Sequence, residues 1–194
     1  MNITLTQQSN YSLKFLKVVF CCTCFFVNVS YSQLARDPLK VVIIRHAEKP
    51  VTGDNLNCQG LNRSQLIPNM IVSKFGVPAF SYVPSLSADS ATKHARMFQT
   101  LIPLAVKYNL AINSKFAGKD SAGLVDDILR RYGTVLVVWD HKSILPIIHA
   151  FGINDTSLKW YDNDFDSIWI ISFENGIATL IKDKENLKPS ADCN

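Results

Sequence analysis

The sequence predicts a three-layer α/β/α domain on a mostly parallel mixed sheet, closed by a C-terminal antiparallel hairpin. Three observations carry this. Residues 40–45 and 134–139 are continuous β-branched runs rather than alternating ones, the pattern of strands buried on both faces. Segments with helical 3–4 spacing fall between such runs, which gives the alternation of an α/β layer architecture. Near the end, residues 168–173 and 177–181 flank Glu174-Asn175-Gly176, and an Asn-Gly turn between apolar runs signals a hairpin.

The elements follow in order. Residues 62–75 suggest a helix through Leu66, Met70 and Ile71, with Pro68 unsettling its first turn. Residues 81–84 form a short strand. Ala91, Ala95, Phe98, Ile102 and Ala105 lie on one helical face, with Asp89 or Ser90 as cap and Pro103 expected to kink or restart the helix. Residues 122–132 read as a helix stopped by Gly133, and 144–151 as another ended by Gly152. His149, inside the second, reads as a structural histidine. Trp160, Trp169 and Phe173 read as core, and 183–194 as a polar, solvated tail.

The chain of 194 residues is one domain plus an appendage. With 47% hydrophobic and 19% charged residues it can bury a core, which excludes a disordered chain. Lys14 and Lys17 precede a twelve-residue apolar run, 18–29, and small residues at Ser30 and Ser32. This is the anatomy of a secretory signal over residues 1–32, with a domain over 33–182. The alternative is an N-terminal anchor, although twelve residues make only ~18 Å of helix against a ~30 Å hydrocarbon core. The expected location is therefore periplasmic or secreted, without stable membrane insertion once the signal is cut. Residues 33–194 carry 18 basic against 16 acidic side chains, too mild an excess for a nucleic-acid partner. The exported chain would keep two cysteines, Cys58 and Cys193, either as a disulfide or as separate thiols. It has no zinc-ligand spacing and no glycine-rich nucleotide loop.

The chemistry points to two strand ends. The first buried run ends in Arg45-His46 and the second in Asp140-His141. Ligands bind at the carboxyl ends of parallel strands, so neighbouring strands would bring both histidines to one edge.

Arg45-His46-Ala47-Glu48 after an apolar strand resembles the signature of the histidine phosphatase superfamily, the phosphoglycerate mutase-like fold, with Ala47 where glycine is usual. The string Arg45 to Pro50 is similar to that of a small, exported bacterial branch. Residues 56–66 with Gly60 and Arg63, 96–105, 135–152 and 160–173 resemble further segments of that branch, in order. The resemblance implies a phosphatase that acts on a phosphomonoester or phosphoramidate through a phosphohistidine on His46. It implies His141 as the second catalytic histidine, Arg45 and Arg96 as phosphate clamp, and no metal or other cofactor. Planar guanidinium gives paired, charge-assisted bonds to phosphate. The partner would be a small phosphorylated substrate. Asp140 is the first choice of proton donor and Glu48 the alternative. Arg63 and Lys49 are possible substrate contacts, although helix capping or solvation for Arg63 and an exposed loop for Lys49 are the commoner roles. His94 would lie on the surface or pocket rim. The competing functions are a non-catalytic phosphoanion-binding domain of the same fold and a sugar-phosphate mutase.

Overall fold

The computed structural model describes residues 38–86 and 92–193. Six strands form one sheet: β1 (Lys40–Arg45), β2 (Phe80–Tyr82), β3 (Ile112–Asn113), β4 (Thr134–Trp139), β5 (Ser167–Glu174) and β6 (Ile177–Lys184), in the order β3-β2-β4-β1-β5-β6. The first four are mutually parallel; β5 runs antiparallel to β1, and β6 to β5. The two apolar runs of the sequence are therefore the central pair, with Arg45 in register with Trp139.

Four helices cover the sheet: α1 (Cys58–Phe75), α2 (Ala95–Tyr108), α3 (Ser121–Ile128) and α4 (His141–Ala150). Alternate strand residues feed opposite layers, as the pleat requires. Val42, Ile44, Leu136 and Val138 pack with Ile67, Met70 and Ile71 of α1 and Met97, Leu101 and Leu104 of α2. Val41, Ile43, Val135 and Val137 pack with Leu124, Val125 and Ile128 of α3 and Ile144, Ile147 and Ile148 of α4. That double burial is why both runs lack polar alternation. Among the described residues no helix is long and apolar enough to cross a membrane.

Several boundaries differ from the sequence reading. Helix α1 starts four residues earlier, because the Asn57 side chain accepts from the Gly60 N–H and caps it. It runs through Pro68, and α2 runs through Pro103, without a break. One lost backbone bond is outweighed by the apolar face each helix buries. Helix α2 begins after His94, which takes a left-handed conformation, φ 63°, at a cost of about 1–2 kcal/mol, and makes no side-chain cap. The expected caps Asp89 and Ser90 lie outside the described residues, as does the whole segment 1–32. Helix α3 ends at Ile128, and Gly133 instead serves, at φ 67°, the turn into β4. Helix α4 begins at His141, capped by Asp140, whose carboxylate accepts from the Lys142 N–H at 3.2 Å. His149 is exposed, not structural. The two-residue strand β3 has no signal in the sequence.

Residues 183–193 are polar and largely exposed, but they are tied to the domain. Strand β6 continues to Lys184, and Glu185 is 3% exposed. The Asn62 side chain donates to the carbonyls of Ser190 and Asp192 at 3.0 and 2.8 Å. Cys193 is disulfide-bonded to Cys58, their Cα atoms 4.9 Å apart, which decides between the two states the sequence left open.

Candidate active site

Strands β1 and β4 end side by side, and the His46 N–H donates to the Trp139 carbonyl at 3.0 Å. This puts His46 and His141 on one edge of the sheet. A cavity of about 190 Å³ opens there. His46, Asp140, His141 and Lys142 wall it from the strand ends; Lys49 and Asp54 wall it from the loop after β1. His94, Arg96 and Met97 close it from the start of α2.

His46 is 2% exposed. Its Nδ1–H donates to the Ala47 carbonyl at 2.7 Å, since a carbonyl can only accept. The tautomer follows: Nε2 keeps its lone pair. Burial, with Arg45 adding to it, lowers the imidazole pKa to about 4, so the ring is neutral throughout the physiological range. The loop that carries it is braced by α2 and α1. The Ala47 N–H donates to Thr100 Oγ1 at 2.9 Å. Gly60 of α1 packs so closely on Glu48 that a Cβ there would fall 2.1 Å from the Glu48 carbonyl oxygen. Only glycine permits that approach.

Arg45, 2% exposed, is not one of the side chains walling the cavity. Its Nη1 donates to the carbonyls of Asp162 at 2.6 Å and Asp164 at 3.2 Å, with Tyr161 at 3.5 Å. Its guanidinium carbon stands 3.9 Å from the Phe165 ring centroid. Its buried Nε has no hydrogen-bond partner among the described residues. Arg96 does face the cavity; its Nη2 and Nε donate to the Gly53 and Asn55 carbonyls, tying the loop after β1 to α2. Gln99 reinforces this, donating to Asn55 Oδ1 at 2.7 Å and accepting from the Leu56 N–H at 3.0 Å.

Both ring nitrogens of His141 face carboxylates: Nδ1 lies 2.9 Å from Asp140 Oδ1, and Nε2 lies 3.1 Å from Asp162 Oδ1. Neither contact has hydrogen-bond angles, and they become ion pairs only when the ring is protonated. Burial and then Arg45 lower its pKa. His46, Asp140 and His141 each offer a ligand atom within 4.8 Å of the others, a set that could also hold a metal ion.

The structure separates the other candidates from this cluster. Glu48 accepts three bonds from Arg63, at 2.8–3.0 Å, and does not wall the cavity. Arg63 neither caps nor solvates its helix. It is buried and also donates to Glu185 at 2.6 Å. One cation between two buried carboxylates leaves a charge to be neutralised, and burial raises Glu185 to about 7. Glu185 Oε1 is buried and has no hydrogen-bond partner among the described residues, which a neutral carboxyl tolerates better than an ion. Lys49 is exposed at the cavity wall, and His94 sits on its rim with Nδ1–H donating to Ser85 O at 2.8 Å. Sequence reasoning gave no role to Asp54, Lys142, Asp162 or Phe165.

No family model matches the chain, and a comparison with curated proteins finds no match either. Solved structures do match. A protein histidine phosphatase SixA complexed with tungstate superposes with a TM-score of 0.55 at 17% identity, covering 75% of this chain and 97% of that one. The chain has the histidine phosphatase fold. A putative phosphohistidine phosphatase SixA from Agrobacterium tumefaciens shares that fold at TM-score 0.53 and 16% identity, covering 79% of this chain and 99% of that one. A mycobacterial glucosyl-3-phosphoglycerate phosphatase, solved with inorganic phosphate, does so at TM-score 0.55 and 12% identity, over 77% and 96% of the two chains. The histidine phosphatase fold is thus reached here with no added domain among the described residues.

Proposed function

We propose that the chain is a phosphatase that transfers a phosphoryl group from a phosphomonoester or phosphoramidate to His46 Nε2 and then to water. The observation that carries this is the state of His46: neutral, oriented by its own neighbour's carbonyl, and facing a cavity lined by Arg96, Lys49 and Lys142. A nucleophile needs a free lone pair near neutral pH, and phosphoryl transfer needs positive charge around the equatorial oxygens. Arg45 adds field from behind the nucleophile.

In the first step Nε2 attacks phosphorus while the bond to the leaving oxygen or nitrogen breaks, and Asp140 gives the leaving atom its proton. In the second, water attacks the phosphohistidine, Asp140 takes the proton, phosphate leaves, and His46 is restored. His141 holds the transferring oxygens. The scheme needs no metal. The disulfide supports an oxidising compartment, in keeping with an exported protein.

The test is a phosphoenzyme trap. Purified protein given radiolabelled phosphoramidate and quenched in base should retain label that is acid-labile, and His46→Ala should retain none. Turnover in His46→Ala, or binding of phosphate with no covalent label in the parent chain, would sink the mechanism. The second of those results would leave a phosphoanion-binding domain.

A further inference from the structure

A second cavity, of about 330 Å³, adjoins the first and shares three walls with it: His94, Met97 and Asp140. Its remaining walls are Pro84, Ala117, Gly118, Lys119, Trp139 and Ser143. The two differ in character. The smaller carries three histidines, an arginine, two lysines and two aspartates. The larger is walled chiefly by apolar groups: Met97 is 4% exposed, and the Trp139 indole has its one polar atom committed to Gly118 O at 2.9 Å. His94 is locked on the partition, its ring against Gly118, where a Cβ would stand 3.0 Å from Nε2.

A phosphoryl group satisfies the donors of the smaller cavity, which leaves little room for what the phosphoryl is attached to. The larger cavity begins where that room ends. Asp140 stands on the wall common to both, where a leaving atom bonded to phosphorus on one side and to its organic group on the other would pass. An apolar cavity with few polar groups selects by shape and buried apolar area.

Resting on the phosphatase reading above, we infer that the second cavity is the leaving-group subsite and selects phosphomonoesters of apolar, ring-bearing alcohols. Small alkyl esters and bare phosphoramidate leave it empty. The lock on His94 and the buried Trp139 fix its width in advance, so the preference comes from a preformed wall.

The test compares substrates with similar leaving-group acidity but different size. Phenyl and 2-naphthyl phosphate serve, with phosphoramidate as the probe that needs no subsite. The parent chain should turn over 2-naphthyl phosphate with kcat/KM at least tenfold above phenyl phosphate, mainly through KM. Ala117→Trp, a change at an exposed loop position, should cut the ratio of 2-naphthyl phosphate to phosphoramidate turnover by at least tenfold; Ala117→Leu should cut it less. A parent ratio of naphthyl to phenyl near one would overturn the inference, whatever the variants do. So would a variant that loses all three substrates equally while remaining folded. Labelled phosphohistidine from phosphoramidate in the parent chain separates the two levels. Label without a size preference refutes the subsite alone, whereas no label refutes the phosphatase reading beneath it.

Discussion

His141 Nδ1 and Asp140 Oδ1 lie 2.9 Å apart although the two residues are neighbours in sequence. Adjacent side chains on a strand point to opposite faces, but β4 ends at Trp139 and α4 begins at His141. Asp140 is the hinge between them, so both side chains turn to the same cavity. General acid catalysis is worth ~10²–10⁴ in rate, most of it for poor leaving groups. Asp140→Asn should therefore reduce alkyl phosphate hydrolysis at least about tenfold more than 4-nitrophenyl phosphate hydrolysis. Glu48→Gln should show no such bias, because its carboxylate is spent on Arg63, and should instead lower the melting temperature. Equal losses on both esters in Asp140→Asn would make that residue a helix cap only.

His46 should remain a neutral imidazole well below the pH at which an exposed histidine protonates, because burial holds its pKa near 4. Its ring resonances in a histidine-labelled NMR titration should stay those of the Nδ1–H tautomer down to about pH 5. A midpoint near 6.5, the unperturbed value, would show that the ring is solvated.

The fold was legible in the sequence where one physical cause acted alone. Continuous apolar runs mean double burial, so the central strands and the site edge were readable. The hairpin was readable from Asn175-Gly176. The start of α2 was not, because His94 accepts a left-handed backbone and offers no cap. The role of Glu48 was not either. Its motif position suggests the site, but a carboxylate follows the nearest buried cation, and Arg63 lies fifteen residues on in another element. Phe165 was visible as a residue and not as a stacking partner, because Arg45 lies 120 positions away.

Two buried groups pull the stability curve in opposite directions. His46 has a folded pKa below its unfolded value, so its contribution is lost as pH falls from about 6.5 to about 4. Glu185 has a folded pKa raised from 4.5 to about 7, so its contribution is present below 4.5 and lost as pH rises to 7. Between pH 4.5 and 6.5 the two slopes oppose. Glu185→Gln should remove one of them. Relative to the parent chain, the variant should gain about 1–3 kcal/mol in urea unfolding between pH 5 and pH 7.5. A difference that does not change with pH would show that Glu185 is ionised throughout.

Chelation should leave activity within about twofold, since arginine and lysine supply the charge. Added Zn²⁺ should inhibit in competition with phosphate, because His46, Asp140 and His141 present ligand atoms within 4.8 Å of one another. Activity lost to EDTA and restored by metal would reverse this assignment.

Reduction of the Cys58–Cys193 bond should cost about 2–5 kcal/mol, because it closes a loop across most of the domain. The Cys58→Ser variant should show the same loss in the absence of reductant. Equal stability with and without reductant would mean that the bond is not formed in solution.

That bond also divides the chain in a way that the sheet does not. Everything from α1 to β6 lies inside a covalent ring, while β1 and His46 lie outside it, joined to the ring only through the stretch before Cys58. A protease cut anywhere within the ring leaves one covalent molecule, which still runs as a single band until a reductant is added. A cut in the exposed residues 51–55 frees the strand that bears the nucleophile. It would then be held by non-covalent contacts alone: its ladders to β4 and β5, its core packing, and the bonds of Arg45, Ala47 and Glu48. Limited proteolysis on non-reducing gels would therefore sort harmless nicks from disabling ones by which side of Cys58 they fall on.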